Sequence, residues 1–170
     1  GRVLDLTYAL SYGALVATAQ VANLFRRHAP HDFQGIPIKV AGMGRRRFEI
    51  INILSVVNCV DERRSKIERW TKADGCPEKI GQYEAVYEMH LDPKVEIGAD
   101  LFRVGGWMVT MVISDRLRQA LAEEQVMGVD FIEIPVGGAT AAVVSPPRRR
   151  LAKWRMRGRS VARFAPTNWR

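Results

Sequence analysis

At 170 residues, 47% hydrophobic and 26% charged, the chain has the make-up of one soluble globular domain long enough to bury a core. No apolar run approaches the roughly 18–20 residues needed to cross a bilayer, which excludes a membrane-spanning helix. The formal net charge of +8 is local: residues 148–170 hold nine Lys/Arg and no acid, leaving 17 basic against 18 acidic residues in 1–147, a net of −1.

Leu4, Leu6, Tyr8 and Leu10 alternate along residues 1–14, the pattern of an edge strand or ordered arm. Val21, Leu24 and Phe25 form an apolar stripe that predicts a helix over 15–28. Thr18 stands as its N-cap, and Arg26, Arg27 and His28 sit where cations suit the helix dipole. Residues 33–40 read as a short strand, and Pro37 within it favours an edge or strand-start position. After a basic turn at 42–47, the near-continuous apolar run 48–57 predicts a central strand buried on both faces. Residues 66–71 return as a short strand, and 73–79, with Gly75 and Pro77, form a loop. Tyr83, Ala85, Tyr87, Met89 and Leu91 alternate as one half-buried strand, which turns His90 toward solvent.

The stretch 101–134 is the clearest unit. Phe102 and Val104, then Trp107, Val109, Met111 and Ile113, are two period-2 runs broken at Gly105-Gly106, a bulge or hairpin turn. Ser114 is placed to cap a helix whose stripe is Leu117, Ala120 and Leu121. Gly128 suits a left-handed helix end, and Phe131, Ile132 and Ile134 open the next strand. The helix-to-strand passage repeats at an offset of 96: Thr18 matches Ser114, Phe25 matches Leu121, and Ile38 matches Ile134. Either two units pack equivalently on one sheet, or two ordinary amphipathic helices agree by chance. The expected fold is α+β, mostly antiparallel, with at least two amphipathic helices packed on the sheet. The domain covers 1–136, and 137–170 is a Gly/Pro linker with a basic tail.

Little in the chain points to catalysis, a metal or a cofactor. His28, His31 and His90 have no carboxylate or cysteine cluster beside them, and Cys59 and Cys76 lack CxxC spacing. Two lone cysteines fit a reducing compartment, so cytoplasm is the expected location. Ser114 lacks a G-x-S-x-G setting, and the turn before Arg45, Arg46 and Arg47 has no phosphate-loop spacing. The tail is the strong composition signal. Its cations, interleaved with Trp154, Phe164 and Trp169, have the chemistry to grip nucleic acid, an anionic membrane or an acidic partner. A flexible terminus with no specific role is the plainer alternative.

Five segments in order resemble a family of bacterial toxin-immunity proteins: IINILSVVNCVDERRS (50–65), YEAVYEMHLD (83–92), LFRV (101–104), VISDRLRQAL (112–121) and GVDFIEI (128–134). The carrying positions include Asn52, Asp61 with Cys59, the Phe102-Arg103 pair, Ser114, and Gly128 with Phe131. The chain resembles immunity protein family 11 over about residues 15–134, and the arginine-rich tail departs from that pattern. The resemblance implies a non-enzymatic cytoplasmic antidote that binds a cognate protein toxin, encoded next door, and blocks it.

Such a protein needs a rigid scaffold with a few aromatic or Arg anchors in a complementary surface. Asp61, Glu62, Trp70, Arg103, Trp107, Glu123 and Glu124 are the candidates. Each has a bland alternative: Trp107 in the core, Arg103 paired internally near Asp61, and the helical acids on a solvated face. The competing function is nucleic-acid binding through the tail alone.

Overall fold

The structure is a computed structural model that describes residues 3–9 and 14–137, and the backbone of 151–155. β1 (Leu6–Ala9) and β2 (Ala14–Thr18) pair antiparallel, and β2 runs straight into α1 (Ala19–His28). β3 (Phe33–Ile38) follows the helix. β4 (Phe48–Ile53) then pairs antiparallel with both β2 and β3, giving a first sheet ordered β1-β2-β4-β3. Pro37 therefore lies on an edge strand, where a missing N–H is tolerated.

β5 (Val56–Val57) leaves this sheet and joins the second. β6 (Lys66–Arg69) and β7 (Tyr83–Glu88) make a separate two-stranded ribbon. β8 (Leu101–Val104) and β9 (Trp107–Ser114) form a hairpin, followed by α2 (Asp115–Glu123) and β10 (Asp130–Glu133). β11 (Leu151–Arg155) completes a second sheet ordered β10-β11-β9-β8-β5, in which β5 and β8 run parallel and the other neighbours antiparallel. The fold is α+β and mostly antiparallel, as expected. The remainder of the predicted linker and tail, and every tail side chain, lies outside the described residues.

Alternation on the β8–β9 hairpin decides where the core sits. Leu101, Met111 and Ile113 enter one apolar cluster with α1, α2 and the first sheet. Phe102, Val104 and Val112 enter a second cluster, with Cys59, Val86, Met89 and Leu91. β8 and the second half of β9 are thus covered on both faces, while the ribbon covers the second cluster from outside. Ser114 is fully buried and its Oγ accepts the Leu117 N–H at 3.3 Å, so the predicted cap is present.

Several expectations change. The first helix starts at Ala19, not residue 15: Leu15, Val16 and Ala17 are buried in β2, where tertiary pairing overrides a weak helical pattern. Thr18 keeps the N-cap position without a side-chain capping bond. The run 48–57 is two strands in two sheets, with Leu54 54% exposed at the crossing. Asp32 fixes that crossing. Its carbonyl oxygen accepts from Leu54 N–H, and its carboxylate accepts from Ser55 Oγ at 2.7 Å and from the N–H groups of Asp100 and Leu101. Gly128 does not end α2. Gln125 holds the positive φ just after that helix, whereas Gly128 (φ +100°) lies where a Cβ would come within 2.3 Å of the Leu6 carbonyl oxygen. The units related by the offset of 96 pack on two sheets rather than one, with α1 against α2 between them.

Candidate partner-binding surface

The seven candidate residues fall into three groups. Asp61, Glu62 and Trp70 gather around the β6–β7 ribbon, Arg103 and Trp107 belong to the β8–β9 hairpin, and Glu123 and Glu124 end α2. Asp61 builds a turn rather than presenting a free acid. Its N–H donates to the His90 carbonyl oxygen, and its carboxylate accepts from the Arg63 N–H and from Arg64 at 2.7 Å. The Arg64 hydrogen bond holds this carboxyl below its usual range. Of the alternatives for Arg103, internal pairing is what forms, though not near Asp61: it donates to the Met108 carbonyl oxygen across the hairpin.

Glu62 is the centre of an exposed cluster. It accepts the Tyr83 hydroxyl at 2.5 Å and pairs with Arg69 at 2.6 Å, and Arg69 also lies over the Tyr83 ring at 4.8 Å. The Tyr83 hydroxyl bond first, then Arg69, lowers the Glu62 carboxyl. Burial first, then Glu62, pushes the Tyr83 hydroxyl up to about 12. Tyr83 is seated on Gly106, whose φ is +74° and whose absent Cβ would meet the ring at 3.0 Å. The Tyr83 ring thereby ties the ribbon to the hairpin below.

Trp70 is half-buried at the ribbon's end, where Lys79 Nζ stands 4.8 Å above its ring. Trp107 packs against the second cluster, which favours its core alternative, and its buried Nε1 has no hydrogen-bond partner among the described residues. Glu124 joins the helices, accepting from Gln20 at 3.1 Å and pairing with Arg27 at 3.7 Å, whereas Glu123 is exposed on α2. His90 is half-buried rather than open to solvent, with its Nδ1 buried, while its neighbours Met89 and Leu91 keep the inward face expected of them. The β7 alternation is interrupted between Val86 and Glu88, which exposes Tyr87, 55% accessible; its hydroxyl donates to Glu68 and its ring carries Lys66 at 5.8 Å.

Sequence reasoning missed Tyr83, Tyr87, Arg69 and Lys79. Their signal was present as aromatic residues on one predicted strand facing a charged one. Arg45, Arg46 and Arg47 are exposed and line an open cleft with Lys39 and Pro37.

The geometry defines an α+β protein with a central hairpin covered on both faces and an aromatic, ion-paired ribbon on its outside. Among the described residues no three His, Cys, Asp or Glu side chains group as metal ligands, and no helix is long and apolar enough to cross a membrane. The chain belongs to the immunity protein family (Imm11), whose sequence model matches residues 1–136. The resemblance drawn from residues 50–134 is thus borne out, over a longer stretch than expected. No curated protein and no solved structure matches the chain. Membership points to toxin immunity and, in general, to a non-enzymatic protein with a toxin as partner.

Proposed function

We propose that this chain binds and inhibits a cognate bacterial toxin, delivered between competing cells and encoded beside it, and that it does so in the cytoplasm. The family match over residues 1–136 carries this reading. The protein acts by occupying a surface, without chemistry of its own. The ribbon is the surface we assign to docking. Trp70 and Tyr87 offer rigid aromatic area, and Glu62, Arg69, Lys66 and Lys79 are paired around them, a mixture that suits interface centres.

Co-expression with the product of the adjacent gene tests the reading. The expected result is restored growth of cells making that product, together with co-purification of the two chains. Continued toxicity with no complex would overturn it.

A further inference from the structure

The two halves of the chain agree in register, not only in element order. Thr18 and Ser114 each end a strand and stand at a helix N-cap. β1 places Leu6 opposite Ala17, and β8 places Leu101 opposite Ile113, one residue before each cap. β4 places Phe48 opposite Thr18 on one side and Ile50 opposite Ile36 on the other. β11 places Leu151 opposite Ser114 and Lys153 opposite Ile132. Thr18 to Ser114 and Ile36 to Ile132 are both offsets of 96. Through β2 and β9, Phe48 then matches Leu151; through β3 and β10, Ile50 matches Lys153. Both are offsets of 103. Two independent ladders give one register, so β11 is the counterpart of β4. The sheets repeat one design, β1-β2-β4-β3 and β8-β9-β11-β10.

The counterparts reach their places differently. β4 follows β3 after residues 39–47, whereas β11 follows β10 after 134–150. The family match ends at 136, so it covers β9 and β10 but not the strand between them. Among the described residues β10 has β11 as its one sheet partner. Without that strand, two backbone ladders would face each other across a gap one strand wide, each with N–H and C=O groups to satisfy. A single extended segment, antiparallel to both, satisfies both edges at once.

We propose that the gap between β9 and β10 is a binding site for an extended peptide strand, occupied here by the chain's own Leu151–Arg155, and that it accepts the same segment in trans. The arginine-rich segment is then fastened into the folded body at 151–155 instead of hanging from it.

The test uses the full chain with a protease site placed within 138–147, folded first and then cut. The tail fragment is expected to stay with the body and to be replaced by excess labelled peptide of residues 148–158. A scrambled peptide of the same composition, or one carrying Ala152→Pro, is expected not to enter, since proline cannot donate to a central ladder. In the uncut chain, Ala152→Pro is expected to cost the 130–133 amides their hydrogen-exchange protection while the ladders of β4 keep theirs. That second measurement stands if cutting disrupts the fold. Entry of the scrambled peptide as readily as the parent would reduce the site to charge attraction and overturn the proposal. Unchanged protection at 130–133 in the Ala152→Pro chain would overturn it too.

Discussion

The β8–β9 hairpin and the β6–β7 ribbon are both antiparallel strand pairs, and both pack on the second apolar cluster. The hairpin buries Leu101, Phe102, Val104, Val112 and Ile113 completely. The ribbon buries Val86 and commits most of its other residues to exposed rings and ion pairs. The same local structure thus serves two ends, set by whether one face or both are covered. Stability should reside in the hairpin and its anchors, and partner recognition in the ribbon.

The sharpest way to break that comparison is Phe102→Ala. Removing a fully buried ring that touches no surface should cost about 3–5 kcal/mol in denaturant unfolding. Toxin affinity per folded molecule should not change. Asp32→Ala comes next. It strands the Asp100 and Leu101 N–H groups and the Ser55 hydroxyl, and should cost about 2–3 kcal/mol in the same measurement.

On the ribbon the balance should reverse. Trp70→Ala or Tyr87→Ala should leave thermal stability nearly unchanged and weaken toxin binding by about 2 kcal/mol, roughly thirtyfold in Kd by calorimetry. The two helix caps give a finer contrast. Ser114→Ala should cost about 1 kcal/mol, whereas Thr18→Ala, which removes no capping bond, should cost clearly less.

The smallest effect is alkaline. Folding raises the Tyr83 hydroxyl from 10.0 to about 12, so the folded state holds that proton more tightly. The stability this confers is full below pH 10 and is lost as pH rises toward 12. Cys59, whose thiol burial pushes up to about 11, adds its own loss from pH 9.0 upward. The check is therefore Tyr83→Phe against the parent: its melting temperature should fall less steeply between pH 10 and 12.

The hairpin, its Gly105-Gly106 turn and the Ser114 cap were legible because their signals are local: alternation, a glycine pair, and a hydroxyl one residue ahead of a helix. The break at Leu54 was not, because an apolar run does not show where a chain changes sheets; Asp32, distant in sequence from Asp100, supplies that information. Tyr87 was misplaced because a bulge between Val86 and Glu88 interrupts the alternation locally, while Met89 and Leu91 keep the buried face that alternation assigns them. The strand at 151–155 was hidden by its arginine-rich surroundings, and its match to β4 shows only through pairing. Of the surface proposed for docking, Glu62 and Trp70 stood out in the sequence as polar or aromatic residues near a turn. Asp61 is consumed by its own turn, and Trp107 by the core.

Titration of the purified full chain with the product of the adjacent gene, the partner proposed above, tests the central claim most directly. One-to-one binding is expected with a Kd well below about 1 μM, abolished or sharply weakened by Trp70→Ala and intact in any folded Phe102→Ala protein. No measurable heat or complex with that toxin, from a chain shown to be folded, would contradict toxin immunity as the function of this protein.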